Sequence, residues 1–164
     1  MAVPMAVSAA LPQFHVVGFT GHRQLRDAAA AGAHIDAALS GLQTLAPGEW
    51  IGVSSAAAGS DLGFARAVLQ RGMAWHALLP MPATDFRDDF DEDTWRHAEE
   101  LLASAESVAV VAGEVSREEA YLDCGIETVN ACDVLVALWD GEPARGRGGT
   151  AEMVAYAREL AKPL

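Results

Sequence analysis

Three short segments of the chain gather the residue types that bind or transform small anions: GFTGHR at 18–23, SSAAAGSD at 54–61 and WDGEPARGRGGTAE at 139–152. Each joins small residues, which let backbone N–H groups come close to a ligand, to a hydroxyl or a charge. In the first segment Gly18, Thr20 and Gly21 precede His22 and Arg23. Arg23 has the planar fork that pairs bidentately with a phosphate, its alternative being a surface salt bridge. His22 either donates to an anion or orients the loop. The small residues of the second segment serve equally as one wall of an anion site or as a tight connection between strand and helix. Its candidate ligand contacts are Ser54, Gly59, Ser60 and Asp61, with Ser60 also expected to cap a helix.

In the third segment Gly148, Gly149 and Thr150 open a helix, where unpaired amides and the positive end of the helix dipole meet. Asp61 and Asp140 are carboxylates that could accept from ribose hydroxyls, although Asp140 could equally close a loop turn. Glu152 lies in the first turn of the same helix. It is either a general base or nucleophile on a glycosidic bond, with Tyr121 or Arg117 as partner, or an acid favoured there by the dipole alone.

These segments share one feature: each follows an apolar run. Five such runs, at 15–20, 50–54, 74–80, 107–112 and 133–139, read as buried strands, most of them apolar throughout as strands covered on both faces must be. Helical spacing fills the intervals, as in Ile35, Leu39 and Leu42, or Trp95, Ala98 and Leu101. Ser116 with Glu119 forms a capping box that opens a helix running toward Ala131, and Thr150 opens the last helix. Regular alternation of strand and helix implies right-handed βαβ units and a parallel sheet with helices on both faces. The expected fold is an α/β, Rossmann-like three-layer sandwich of about five strands in the order 3-2-1-4-5. Residues 1–13 read as a leader and 14–164 as a single domain. Ligands of such sheets bind at the carboxyl ends of the strands, so the three segments are expected to line one depression.

Composition narrows the function classes. The chain has 164 residues, 51% hydrophobic and 21% charged, enough for one domain with a real core. Its formal net charge is -12, and 10 of its 11 basic residues are arginine, so a nucleic-acid backbone meets a repulsive field and is disfavoured as a partner. Cys124 and Cys132 lack zinc-ligand spacing and read as buried reduced thiols. The N-terminal residues MAVPMAVSAALP lack a positive n-region and contain two prolines, so they do not read as a signal peptide. With no apolar run long enough for a membrane span, the expected location is cytoplasmic. The acidic stretch 85–93 raises the question of a divalent metal, but a contiguous charge run before a helix more commonly faces solvent or complements the dipole, and His97 is expected at the surface.

The segments GFTGHR, AAAGSDLGFARAVLQRG, DVLVALWDG and GGTAEMVAYAREL together resemble the SMF/DprA–LOG superfamily, the SLOG group of Rossmann-like nucleotide-binding domains, over residues 14–163. The resemblance implies that the glycine-rich loops and the helix N-terminus at GGT hold a nucleotide or nucleotide-derived ligand, with Mg2+ as the cofactor in view. It also implies association into a homodimer. AGSD looks like the glycine-rich loop after the second strand of DprA-type proteins, and GGTAE resembles the glycine-threonine-acid turn of the Lonely Guy phosphoribohydrolases. Cys124 and Gly125 stand where those hydrolases carry an arginine-lysine pair, and Met153 replaces the second of their two adjacent acids. DVLVALWDG with GGTAE is also similar to nucleoside deoxyribosyltransferases, which likewise break an N-glycosidic bond with a carboxylate. Three functions are therefore compared: a nucleotide-binding domain for sensing or processing, an N-glycosidase using Glu152, and a DprA-like DNA-handling protein, the last opposed by the charge.

Overall fold

The apolar runs become strands and the periodic segments between them become helices. In the computed structural model, which describes residues 13–111, 113–144 and 146–164, the order is β1 (Phe14–Gly21), α1 (Ala28–Leu45), β2 (Glu49–Ser54), α2 (Ser60–Gln70), β3 (Ala74–Leu79), α3 (Ala83–Phe86), a 3-10 turn (Arg87–Asp89), α4 (Glu92–Ala103), β4 (Ser107–Val110), α5 (Arg117–Ala131), β5 (Val134–Leu138) and α6 (Thr150–Glu159). Apart from residue 13, the expected N-terminal leader lies outside the described residues. Among the described residues no helix is long and apolar enough to cross a membrane.

Local chemistry sets the helix starts. Asp27 accepts from Ala30 N–H to cap α1, and Asp91 accepts from Thr94 N–H to cap α4. At α5 both halves of the expected capping box are present, Ser116 and Glu119 each accepting from the other's backbone N–H. The expected cap at Ser60 is corrected. Gly59 is the N-cap of α2, and Ser60, already inside the helix, donates its hydroxyl to the His22 carbonyl at 2.8 Å.

All five strands are parallel, and their order is β4-β3-β2-β1-β5, not 3-2-1-4-5. The difference has a physical reason in burial. The four residues of β4 are all exposed, so this strand suits an edge beside β3, where Ser107 Oγ meets His76 Nδ1 at 2.6 Å. The more apolar β5, with Leu135 1% exposed, takes the free side of β1. The first three crossovers therefore step in one direction, and the last, through α5, returns across the sheet. Strand order reverses between β1 and β5, which puts a crevice between the loops that follow those two strands.

Helices α1, α2 and α4 pack as one layer, and α5 with α6 as the other. The first layer encloses the larger core, where Phe64, 0% exposed, stacks on Phe19 with ring centroids 4.8 Å apart and Trp75 lies fully buried. The second encloses Val53, Val129, Cys132, Leu135 and Met153. Cys124 and Cys132 are both buried free thiols.

Candidate ligand-binding site

Where the β1 loop, the start of α2 and the start of α6 converge at the carboxyl edge of the sheet, α5 closes a cavity of about 540 Å3. One face of α5 forms its back wall. Arg117, Tyr121, Cys124 and Thr128, three or four residues apart, all line it. Gly125 keeps that wall close to α6, because a Cβ there would collide with Met153 Sδ.

The β1 loop is fixed from both sides. Ser60 donates its N–H (3.1 Å) and its hydroxyl to the His22 carbonyl, and His22 Nε2 lies 3.1 Å from Asp140 Oδ1 and 3.2 Å from Asp140 N. Gly59 permits this closeness. Its φ of +88° belongs to glycine, and a Cβ there would run into the Arg23 backbone. With the loop so held, the Arg23 guanidinium rests 4.2 Å from the centroid of the Tyr121 ring, a cation–π contact. The Tyr121 hydroxyl donates to Asp89, which also lies 3.5 Å from Arg117.

At the opposite side the N-terminus of α6 has no side-chain cap, since Gly149 occupies the N-cap position. Gly148, Gly149 and Thr150 line the cavity at this helix start, where the first amides of an α-helix lack partners within the helix. Gly148, with φ +73°, donates its N–H to Glu152 Oε2 at 2.8 Å, so the carboxylate organises the turn that precedes its own helix. Arg147 lines the cavity beside this turn.

Burial tunes the titratable groups of the wall. Asp61, 8% exposed in the first turn of α2, is pushed up to about 8 by desolvation, against the opposing pull of Arg23 and a hydrogen bond from the Ala57 backbone. Around neutral pH its carboxyl is largely protonated and can donate a hydrogen bond. Burial also pushes the Cys124 thiol up to about 12, which keeps it from acting as a thiolate nucleophile. The Tyr121 phenol is raised by burial and then by its bond to Asp89.

Of the residues expected from sequence, Thr20, Gly21, His22, Arg23, Asp61, Gly148, Gly149 and Thr150 line this one cavity. The others have structural partners. Gly18 leaves room for Cys132, and Ser54 Oγ accepts from the Trp75 indole N–H at 3.0 Å inside the core. Asp140 engages His22 and accepts from Glu142 N–H at 3.0 Å. The acidic stretch 85–93 also has internal work: Asp91 caps α4, and Asp89 faces the cavity. Sequence reasoning missed Thr128; it placed Arg147 inside the third segment and Asp89 inside the acidic stretch without giving either a role in the cavity. The α5 contacts had a signal in the helical spacing of 117, 121, 124 and 128, whereas nothing local ties Asp89 to the cavity.

No protein-family model and no curated protein matches the chain. Among solved structures it is similar to DNA processing protein A (DprA) from Streptococcus pneumoniae, with 18% identity and a TM-score of 0.67, over 91% of this chain and 48% of that one. The chain thus spans about half the length of that protein. It is also similar to the Chlamydomonas rheinhardtii Moco carrier protein, with 19% identity and a TM-score of 0.54, over 92% of this chain and 74% of that one. The parallel sheet, the cavity at its carboxyl edge and these two likenesses agree on the fold: the chain is a Rossmann-like α/β domain of the kind found in those two structures.

Proposed function

We propose that this domain binds a nucleotide or nucleotide-derived small molecule for sensing or processing, with a phosphate at the α6 end of the cavity. The observation that carries this reading is the uncapped, glycine-opened N-terminus of α6, which faces a cavity also lined by Arg23 and Arg147. In a protein of net charge -12, three arginines among the described residues line this one cavity. A volume of about 540 Å3 suits a ligand of nucleotide size. Asp61, largely protonated around neutral pH, offers a donor to a ribose or base oxygen, and Tyr121 with Met153 supplies apolar wall. Mg2+ would enter with the phosphates as part of the ligand. The name of the Moco carrier protein is in keeping with small-molecule binding. The name of DprA points to DNA, which the net charge of this chain opposes.

Thermal unfolding with a panel of nucleoside mono- and diphosphates, ADP-ribose and NAD tests the reading. A matching ligand at about a hundred times its Kd adds roughly 2.7 kcal/mol, a melting shift on the order of 5–10 °C. Arg23→Ala should lose most of that shift and leave the ligand-free melt nearly unchanged. A panel without any shift, or DNA binding at low salt in its place, would refute the proposal.

A further inference from the structure

We infer that Asp89 is a specificity-determining residue of the cavity: its carboxylate neutralises Arg117, so that phosphates beyond the one held at the α6 end meet no free cation there. The inference rests on the nucleotide reading above. Among the described residues three arginines line the cavity, but they are not equally available to an anion. Arg117 places Nη1 3.5 Å from Asp89 Oδ2 and donates from Nη2 to the Asp85 carbonyl at 2.9 Å, so its charge is compensated where it stands. Arg23 and Arg147, with the α6 N-terminus, remain to meet the ligand.

Asp89 is itself held in place. Its side chain is 24% exposed, accepts from the Tyr121 hydroxyl and belongs to a segment tied to α5 through Met81 and Asp85, both partners of Arg117. Phe86, three residues earlier in the same segment, is 0% exposed and lies 6.2 Å from the Tyr121 ring. The carboxylate is therefore held in the cavity wall while remaining partly solvated. A ligand extended from the α6 end toward α5 by a second or third phosphate brings new negative charge toward Asp89, and the adjacent Arg117 is already paired. A ligand ending in hydroxyl or amino groups meets an acceptor there instead.

Adenosine and guanosine mono-, di- and triphosphates serve as probes, titrated in EDTA so that no metal alters their charge, by calorimetry and thermal shift. For the wild type, affinity should fall from mono- to di- to triphosphate. Asp89→Asn, close to isosteric, should raise di- and triphosphate affinity roughly tenfold relative to the monophosphate, the Coulombic effect of one charge at short range in a partly solvated site. Asp89→Glu should restore the wild-type order. Asp88→Asn makes the same change in net charge at an exposed neighbour outside the cavity wall and should leave the ratios alone. Ratios unchanged in Asp89→Asn, or the same change in Asp88→Asn, would overturn the inference while leaving the binding reading intact. If no probe binds any variant, the nucleotide reading falls and this inference falls with it.

Discussion

Asp61→Asn should stabilise the protein, and by more as the pH rises. The carboxyl is buried at the start of α2, and its pKa moves from 3.8 to about 8, chiefly by desolvation. Because the folded-state value lies above the unfolded one, the folded protein binds more protons than the unfolded chain between about pH 4 and pH 8. Folding stability therefore falls as pH rises through that window and is lowest above it. Between pH 5 and pH 7 the residue should cost the wild type on the order of 2–3 kcal/mol relative to its own value at pH 5. Asparagine keeps the shape and can still accept from the Ala57 backbone, but does not ionise. For a domain of this size the gap between variant and wild-type melting temperatures should widen by roughly 5–11 °C over those two pH units. All other groups are common to both proteins, so the difference between the curves isolates Asp61. Melting curves recorded at half-unit pH intervals give the slope directly. Parallel curves, or a gap that narrows toward pH 7, would refute the placement of a buried, neutral carboxyl in this wall.

The remaining predictions concern the loops that shape the cavity. Gly59→Ala should destabilise the fold by several kcal/mol, because it combines the strained φ of +88° with a collision against the Arg23 backbone, and chemical denaturation would measure it. Glu152→Gln should cost about 0.3–1 kcal/mol and leave ligand affinity largely unchanged, since the carboxylate faces Gly148 N–H and favours its helix end. Chromatography of long incubations with nucleotides should show the ligand returned intact. Release of free base by the wild type, lost in Glu152→Gln at unchanged binding, would move the domain from binding to glycosidic chemistry. Phe64→Ala should cost about 3–5 kcal/mol by opening a cavity beside Phe19, read as a lower denaturation midpoint at constant m-value.

The sequence by itself determined what local pattern can encode. Continuous apolar runs marked all five strands, helical spacing marked the main helices, and strand-helix alternation required parallel pairing, because a crossover helix is how parallel neighbours are joined. Ser116 and Glu119 announced the start of α5, since a capping box closes within one turn of chain. Parallelism in turn put every post-strand loop at one edge of the sheet, which is why Arg23, Asp61 and Thr150 could be expected together from residues far apart in the chain. Tertiary structure decided the rest. Strand order turned on which run could tolerate an edge, and the exposure of β4 follows from what the helices leave uncovered, not from its apolar composition. Hydroxyls and carboxylates of the same type took different roles according to the partner that packing brought within reach: Ser54 met the Trp75 indole, Ser60 the His22 carbonyl and Glu152 the Gly148 amide, while Asp61 was carried into a wall whose burial raises its pKa. Asp89 reached the cavity because α5 returns across the sheet and meets the segment after β3, bringing Tyr121 and Arg117 to a residue about 30 positions away, a contact no local period records.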